Sequence, residues 1–199
     1  LHVLASAPDI LLVDEPEAFL HPGQARALGR WLAAEAIARD VQVILATHDR
    51  DIVLGLLDSE PGTSVNLIRI ARVGDGSHLS QLPPDEVRAV WDDPVLKYSN
   101  VLQGLFHRKV VVCESDADCR FFGAALNELA VSTGRRAQGD DILFVPSGSK
   151  NRVSALAVAL TKLGVEAACI VDFDVLRSKA DMQKIVGAVG GRWGPKLDD

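Results

Sequence analysis

Short uninterrupted apolar runs alternate along this chain with longer stretches in which apolar residues recur every three or four places. Residues 10–13 (ILLV) form the first run, and an unbroken apolar tetrad closed by Asp14-Glu15-Pro16 predicts a strand buried on both faces. Residues 23–39 place Ala25, Leu28, Leu32, Ala36 and Ile37 on one side and charges on the other, the pattern of an amphipathic helix. Residues 41–46 (VQVILA) predict a second buried strand, with Thr47-His48-Asp49 directly at its carboxyl end. A short helix over 51–57 and an alternating, edge-type strand over 65–71 (VNLIRIA) follow. Strand, helix, strand in this order predicts a parallel sheet and an α/β fold.

Residues 74–84 (GDGSHLSQLPP) interrupt the pattern with Gly and Pro, so a linker is expected there, continued by a polar, partly helical connector over 85–107. The alternation then restarts. Strands are expected over 109–113, 142–145 and 165–171, and helices over 116–131, 151–163 and 178–189. The chain thus divides into a first α/β unit over 1–73, a connector over 74–107 and a second α/β unit over 108–199.

Composition adds bounds. With 199 residues, 48% hydrophobic and 24% charged, the chain is ordinary for a globular protein, which excludes a disordered or collagen-like one. No run approaches the roughly 18 apolar residues of a membrane span, and the first residues lack the basic start and apolar core of a signal peptide, so a cytoplasmic protein with no membrane partner is expected. Cys113, Cys119 and Cys169 are odd in number and lack C-x-x-C spacing; buried thiols are expected rather than disulfides or a zinc site. Met182 is the only methionine and the chain opens at Leu1, on the approach to a strand, which suggests a piece of a longer polypeptide. Residues 1–107 carry 8 Lys and Arg against 15 Asp and Glu, whereas residues 108–199 carry 13 against 12. A nucleic-acid partner therefore suits the second unit better, because phosphate contacts need cations.

The first candidate site lies where residues 10–13 deliver Asp14 and Glu15 to the carboxyl edge of a sheet, the edge at which open α/β folds bind ligands. In nucleotide hydrolysis one such acid holds Mg²⁺ and the next polarises the attacking water. An apolar run ending in two acids also describes an ordinary solvated turn. His48 at the end of the next strand strengthens the functional reading, since parallel neighbours bring it to the same edge as Glu15. The segment ILLVDEPEAFLHP resembles the Walker B region of ABC-type ATPases of the chromosome-maintenance and RecF-like group, which reads hhhhDEP-E-xx-LHP. That resemblance implies Asp14 as the Walker B aspartate binding Mg²⁺, Glu15 as the catalytic glutamate, residues 19–22 as the D-loop region, His48 as the switch histidine, and ATP with Mg²⁺ as the cofactor. No G-x-x-x-x-G-K-[ST] run occurs, and Gly148-Ser149-Lys150 lacks the upstream glycine. The P-loop and signature motif of such an ATPase would precede Leu1, and these residues alone are not expected to hydrolyse ATP.

The second candidate site is carboxylate-rich. Residues 110–113 end at Glu114, followed by Ser115-Asp116-Ala117-Asp118 at a helix opening, and residues 168–171 end at Asp172-Phe173-Asp174. Glu114 and Asp118 are four apart, a spacing that aims both at one point if the helix begins at once. Four carboxylates from two strand ends repel unless a hard cation sits between them. Asp116 and Asp118 also suit a helix N-terminus on their own. The succession hhhE-x-x-x-D, strand–helix, hhhDxD resembles the Toprim fold, and an ABC-type ATPase half followed by Toprim resembles the OLD family of ATP-dependent endonucleases.

The resemblance implies a two-metal centre using Mg²⁺ or Mn²⁺, with Glu114, Asp118, Asp172 and Asp174 as metal ligands, Glu114 and Asp172 catalytic, DNA as substrate and a homodimer in the intact protein. Residues 146–151 match the glycine-rich turn between the two acidic motifs, and Lys150, Arg152 and Arg177 stand near enough in sequence to contact DNA phosphates. Ser115 replaces the glycine usual after the first glutamate. A further acid and lysine of that family would follow Asp199. A topoisomerase reading has only Tyr98, in the connector, to offer as nucleophile. The DxD also resembles the nucleophile motif of haloacid-dehalogenase-type enzymes, but it follows a third strand and carries Leu176 where that motif has Thr or Val. An ATPase-linked Toprim module that binds DNA without cutting it remains the alternative.

Overall fold

The computed structural model describes residues 9–59, 64–92, 100–134 and 141–194. Tyr98 lies outside them. The chain forms two compact units, the first within residues 1–66 and 83–88, the second within 67–82 and 89–199.

In the first unit, β1 (Ile10–Asp14) and β2 (Gln42–Ala46) are parallel neighbours, in register from Ile10 opposite Gln42 to Asp14 opposite Ala46. Helix α1 (Pro22–Arg39) makes the crossover, and α2 (Arg50–Leu57) follows β2. Pro22 begins α1 where its missing N–H is one of the helix's orphan donors anyway, and the chain leaves α1 through Asp40 in a left-handed conformation, φ 55°. Leu11 and Val13 pack with Val41 and Val43. The strand period of two puts Ile10, Leu12 and Ile44 on the other face, where they are exposed. The expected burial on both faces is therefore replaced by one-sided burial, since this sheet has two strands and nothing among the described residues covers its second face.

The two helices meet backbone to backbone. A Cβ placed on Gly29 would lie 2.4 Å from the Ile52 carbonyl oxygen, and one on Gly55 would lie 2.2 Å from that of Arg26. Only glycine fits either place. Arg26 closes the contact by donating from Nε and Nη2 to Asp58 Oδ2 at 2.8 and 2.5 Å.

The second unit is built on a three-stranded parallel sheet, β6 (Ile142–Pro146), β5 (Lys109–Cys113) and β7 (Glu166–Ile170), in that spatial order. β5 lies in the middle and its two faces feed separate clusters. Val111 and Cys113 pack with Cys119 and Phe122 of α4 (Asp116–Ser132), joined by Ile142, Phe144, Ala168 and Ile170. Val110, Val112 and Val145 are wholly buried on the opposite face, as are Val153, Leu156 and Leu160 of α5 (Lys150–Lys162). Each β5 methyl group thus leaves water, worth roughly 25 cal/mol per Å² of apolar surface removed. α6 (Lys179–Ala188) follows a 3₁₀ turn over Phe173–Arg177.

The stretch expected as a linker is structured. Residues 76–82 form β4 (Gly76–Leu82), antiparallel to β3 (Leu67–Val73), with Val73 opposite Gly76 across a two-residue turn that Gly74 enters at φ 60°. This hairpin groups with the second unit, so the boundary expected after residue 73 falls inside it. Arg69 ties it there: Nε donates to the Leu105 carbonyl at 3.0 Å, Nη1 to Gly164 at 2.6 Å and Nη2 to His107 at 2.8 Å. Helix α3 (Pro84–Asp92) and a 3₁₀ helix over Asn100–Phe106 occupy much of the expected connector. No helix among the described residues is long and apolar enough to cross a membrane.

Candidate functional site

The register of β1 and β2 sets the first site. Asp14 lies opposite Ala46, and the Glu15 N–H donates to the Ala46 carbonyl at 2.9 Å, so the pairing runs one residue past the strand. Glu15 then takes φ 41°, a conformation that L side chains adopt only when their surroundings demand it. The turn leaves the Glu15 side chain 58% exposed at the sheet edge, within 3.1 Å of His48 Nδ1 through Oε1. Asp14 is exposed beside it. Asp14, Glu15 and His48, matched to one site on sequence, are thus brought to one edge.

Glu17 is a residue to which sequence assigned no role. It is buried at 6% exposure, accepts the Thr47 hydroxyl on Oε1, and leaves Oε2 without a hydrogen-bond partner among the described residues. The Thr47 hydroxyl also accepts the Asp49 N–H at 3.0 Å, and Asp49 caps α2 by accepting from Asp51 and Ile52 at 2.7 and 3.1 Å. In the stretch over 19–22 Phe19 is fully exposed at φ 72°, and the His21 N–H donates to Gln24 Oε1 at 3.1 Å as α1 begins.

A family model described as an AAA domain, putative AbiEii toxin, type IV toxin–antitoxin system, matches residues 1–54. Residues 1–54 are thus similar to part of an ABC-type ATPase domain. A high-affinity branched-chain amino acid transport ATP-binding protein, LivG, of Salmonella typhimurium is 29% identical over 85 residues, 43% of this chain and 29% of that protein. Its counterpart in Escherichia coli K12 is 28% identical over the same shares. The match spans under a third of the length of these curated relatives. Within the matched residues, the stretch read as Walker B, 10–15, falls on β1 and the turn after it.

The second site lies at the carboxyl edge of the β6-β5-β7 sheet. In that parallel order successive strands are added on opposite sides of β5, so the strand order reverses between β5 and β7, and open α/β sheets bind ligands in the crevice at such a switch point. Glu114 follows β5 and Asp172 follows β7. The Asp172 N–H donates to Glu114 Oε1 at 2.9 Å, which joins the two strand ends across that crevice. Asp174, two residues on, accepts Lys150 Nζ on Oδ2 at 2.7 Å, and the carboxylate holds the Lys150 ammonium above its ordinary pKa. Ser147 Oγ donates to the Ser149 carbonyl at 2.9 Å inside the turn, and Gly148 supplies the left-handed residue that the turn needs, φ 75°. Arg152 lies along this turn with its guanidinium about 4.0 Å from where a Gly148 Cβ would stand, and Arg177 is exposed at the end of the 3₁₀ turn.

Asp118 is placed differently from expectation. Helix α4 begins at Asp116 with Ser115 as its cap, so Glu114 precedes the helix and four-residue spacing no longer aims the two acids together. Instead Asp118 Oδ2 accepts from the Ser115 N–H at 2.9 Å and from the Ser115 hydroxyl at 2.7 Å, a reciprocal cap. Asp116 pairs outward with Arg120. Among the described residues, no three His, Cys, Asp or Glu side chains are gathered closely enough to hold one ion. The oxygen donors of Glu114, Asp172 and Asp174 suit a hard divalent cation by chemistry, while Lys150 neutralises part of their charge. Beneath the edge, Cys113 is buried, which pushes its thiol up to about 12, and burial raises Cys169 to about 11. These thiols pack rather than react.

Proposed function

We propose that this chain joins the hydrolytic half of an ABC-type ATPase, which binds and hydrolyses ATP with Mg²⁺ in the intact protein, to a Toprim-like unit that cleaves DNA with Mg²⁺ or Mn²⁺, as in OLD-type endonucleases. In the ATPase part, Asp14 would hold Mg²⁺, Glu15 would orient and deprotonate the attacking water, and His48 would steady Glu15 and face the γ-phosphate. In the second unit, Glu114, Asp172 and Asp174 would hold the metal. When bound, that metal would polarise the phosphodiester and offset charge developing on its oxygens. Lys150, Arg152 and Arg177 would meet neighbouring phosphates. A homodimer and a cytoplasmic setting belong to the same proposal.

One observation carries the nuclease reading: Glu114 and Asp172, delivered by different strands, are joined at the crevice where the strand order switches. A DNA-binding unit without cleavage is the second reading, favoured by Lys150 seated on Asp174 and by Asp118 committed to its helix cap. Plasmid nicking by the intact protein separates them. The expected result is Mg²⁺- or Mn²⁺-dependent nicking that Asp172→Asn abolishes while ATP turnover is unchanged. Nicking at the wild-type rate by purified Asp172→Asn protein rules out the nuclease reading, and DNA binding without any nicking by the wild type supports the second.

A further inference from the structure

The segment after β2 is held by a side chain that the hydrolytic pair does not account for. Glu15 and Glu17 are two residues apart, yet Glu15 reaches outward and Glu17 is 6% exposed. A carboxylate taken out of water needs partners, and Glu17 has the Thr47 hydroxyl on one oxygen and nothing on the other among the described residues. Its Oε1 is 3.9 Å from His48 Nδ1, too far for a hydrogen bond. Glu17 thus bears on the histidine through the Thr47 hydrogen bond and, at 3.9 Å, through its charge alone.

We infer that Glu17 is a positioning residue, which anchors Thr47 and so seats His48 on Glu15; this rests on reading Glu15 and His48 as the hydrolytic pair. The His48 side chain is 73% exposed, and its one ring hydrogen bond among the described residues goes to Glu15. Little packing steers such a ring, so its direction is set by the backbone on either side. On one side, the Thr47 hydroxyl donates to Glu17 and accepts from the Asp49 N–H. On the other, Asp49 is fixed as the cap of α2. Glu17 supplies the only anchor in this set that comes from the β1 side, where Glu15 itself stands. It thus couples the two halves of the pair across the strand ends.

The test uses ATP turnover of the intact protein. Thr47→Val keeps the side chain's shape and removes only the hydroxyl. A misplacement of about 1 Å at a reacting group costs on the order of 100-fold, so kcat should fall by about 10- to 100-fold with KM for ATP little changed. Thr47→Ser should restore turnover, and Glu17→Gln, which keeps an acceptor for Thr47, should lose less than Glu17→Ala. A cycle gives the decisive reading: on a His48→Ala background, Thr47→Val should cost nothing further, because both act through the same ring. Full kcat in Thr47→Val, or losses that multiply with those of His48→Ala, overturns the positioning role alone. Wild-type turnover in His48→Ala overturns the hydrolytic pair beneath it.

Discussion

The backbone N–H of Asp172 donates to Oε1 of Glu114, joining two strand ends that lie 58 residues apart in the chain. Geometry and charge can be separated at this bond. Glu114→Gln keeps an acceptor for the N–H and removes the negative charge, so its melting temperature without metal should match or exceed that of the wild type, since like charges at the edge are relieved. Thermal stabilisation by Mn²⁺ should be lost in the same variant. Melting curves with and without Mn²⁺ check both outcomes, and an undiminished Mn²⁺ shift removes Glu114 from the metal set.

At the ATPase edge, Glu15→Gln preserves the side chain's size beside His48. ATP binding by the intact protein should persist while turnover falls by on the order of 100-fold or more, the usual worth of a general base. Equilibrium nucleotide binding and steady-state hydrolysis measure the two separately. Unchanged turnover would take Glu15 out of the mechanism.

The thiols predict a pH dependence. Folding raises Cys113 from the ordinary 9.0 to about 12 and Cys169 to about 11, so the unfolded chain loses these protons first as pH rises. Their stabilising contribution is present in full below about pH 9 and declines as pH climbs through the folded values. Denaturant midpoints should fall between pH 9 and 11. Thiol labelling at pH 8.5 should be slow in native protein and rapid once it is unfolded; rapid native labelling would contradict the burial.

Arg69 offers a test of the hairpin. One guanidinium serves three carbonyls, and hydrogen bonds from charged donors contribute about 1.5–3 kcal/mol each when their partners are otherwise buried. Arg69→Met should lower stability by several kcal/mol, and Arg69→Lys should recover little, because a single ammonium cannot match the planar fork. Chemical denaturation checks the size, and amide exchange over residues 67–82 checks the place.

What the sequence discloses depends on the length of the physical signal. Residues 109–113 are read correctly because four consecutive apolar positions, Val110 to Cys113, serve two cores. The α1 crossover is legible as a helix, but the face it buries is Ala25, Gly29, Leu32 and Ala33, and Ile37, expected on that face, is exposed, because the contact with α2 is made through Gly29. β4 is not legible in the same way: GSHLSQL has few apolar positions, and its strand form depends on pairing with β3, a partner outside any local window. The Gly74-Asp75 turn was the available signal. Asp118 shows a second limit, since one residue's difference in where α4 starts decides whether a carboxylate reaches across to Glu114 or caps its own helix; Ser115 followed three places later by an acid is the capping pattern that announces the choice. For Glu17 the sequence offers only the acid that hhhhDEP-E-xx-LHP keeps at that position; that it faces inward is set by the backbone reversal at Glu15.

That reversal sets stability against activity. A side-chain-bearing residue held in left-handed backbone costs about 1–2 kcal/mol, and glycine at position 15 would avoid most of it. On the proposed role of Glu15, a search for sturdier versions of this protein would therefore be drawn to the very corner that carries the hydrolytic carboxylate, and would return a molecule that melts later and turns nothing over. Catalogues of stabilising substitutions in this fold are best read in reverse there: the position where glycine helps most is the one where the chain has given up robustness to place an acid.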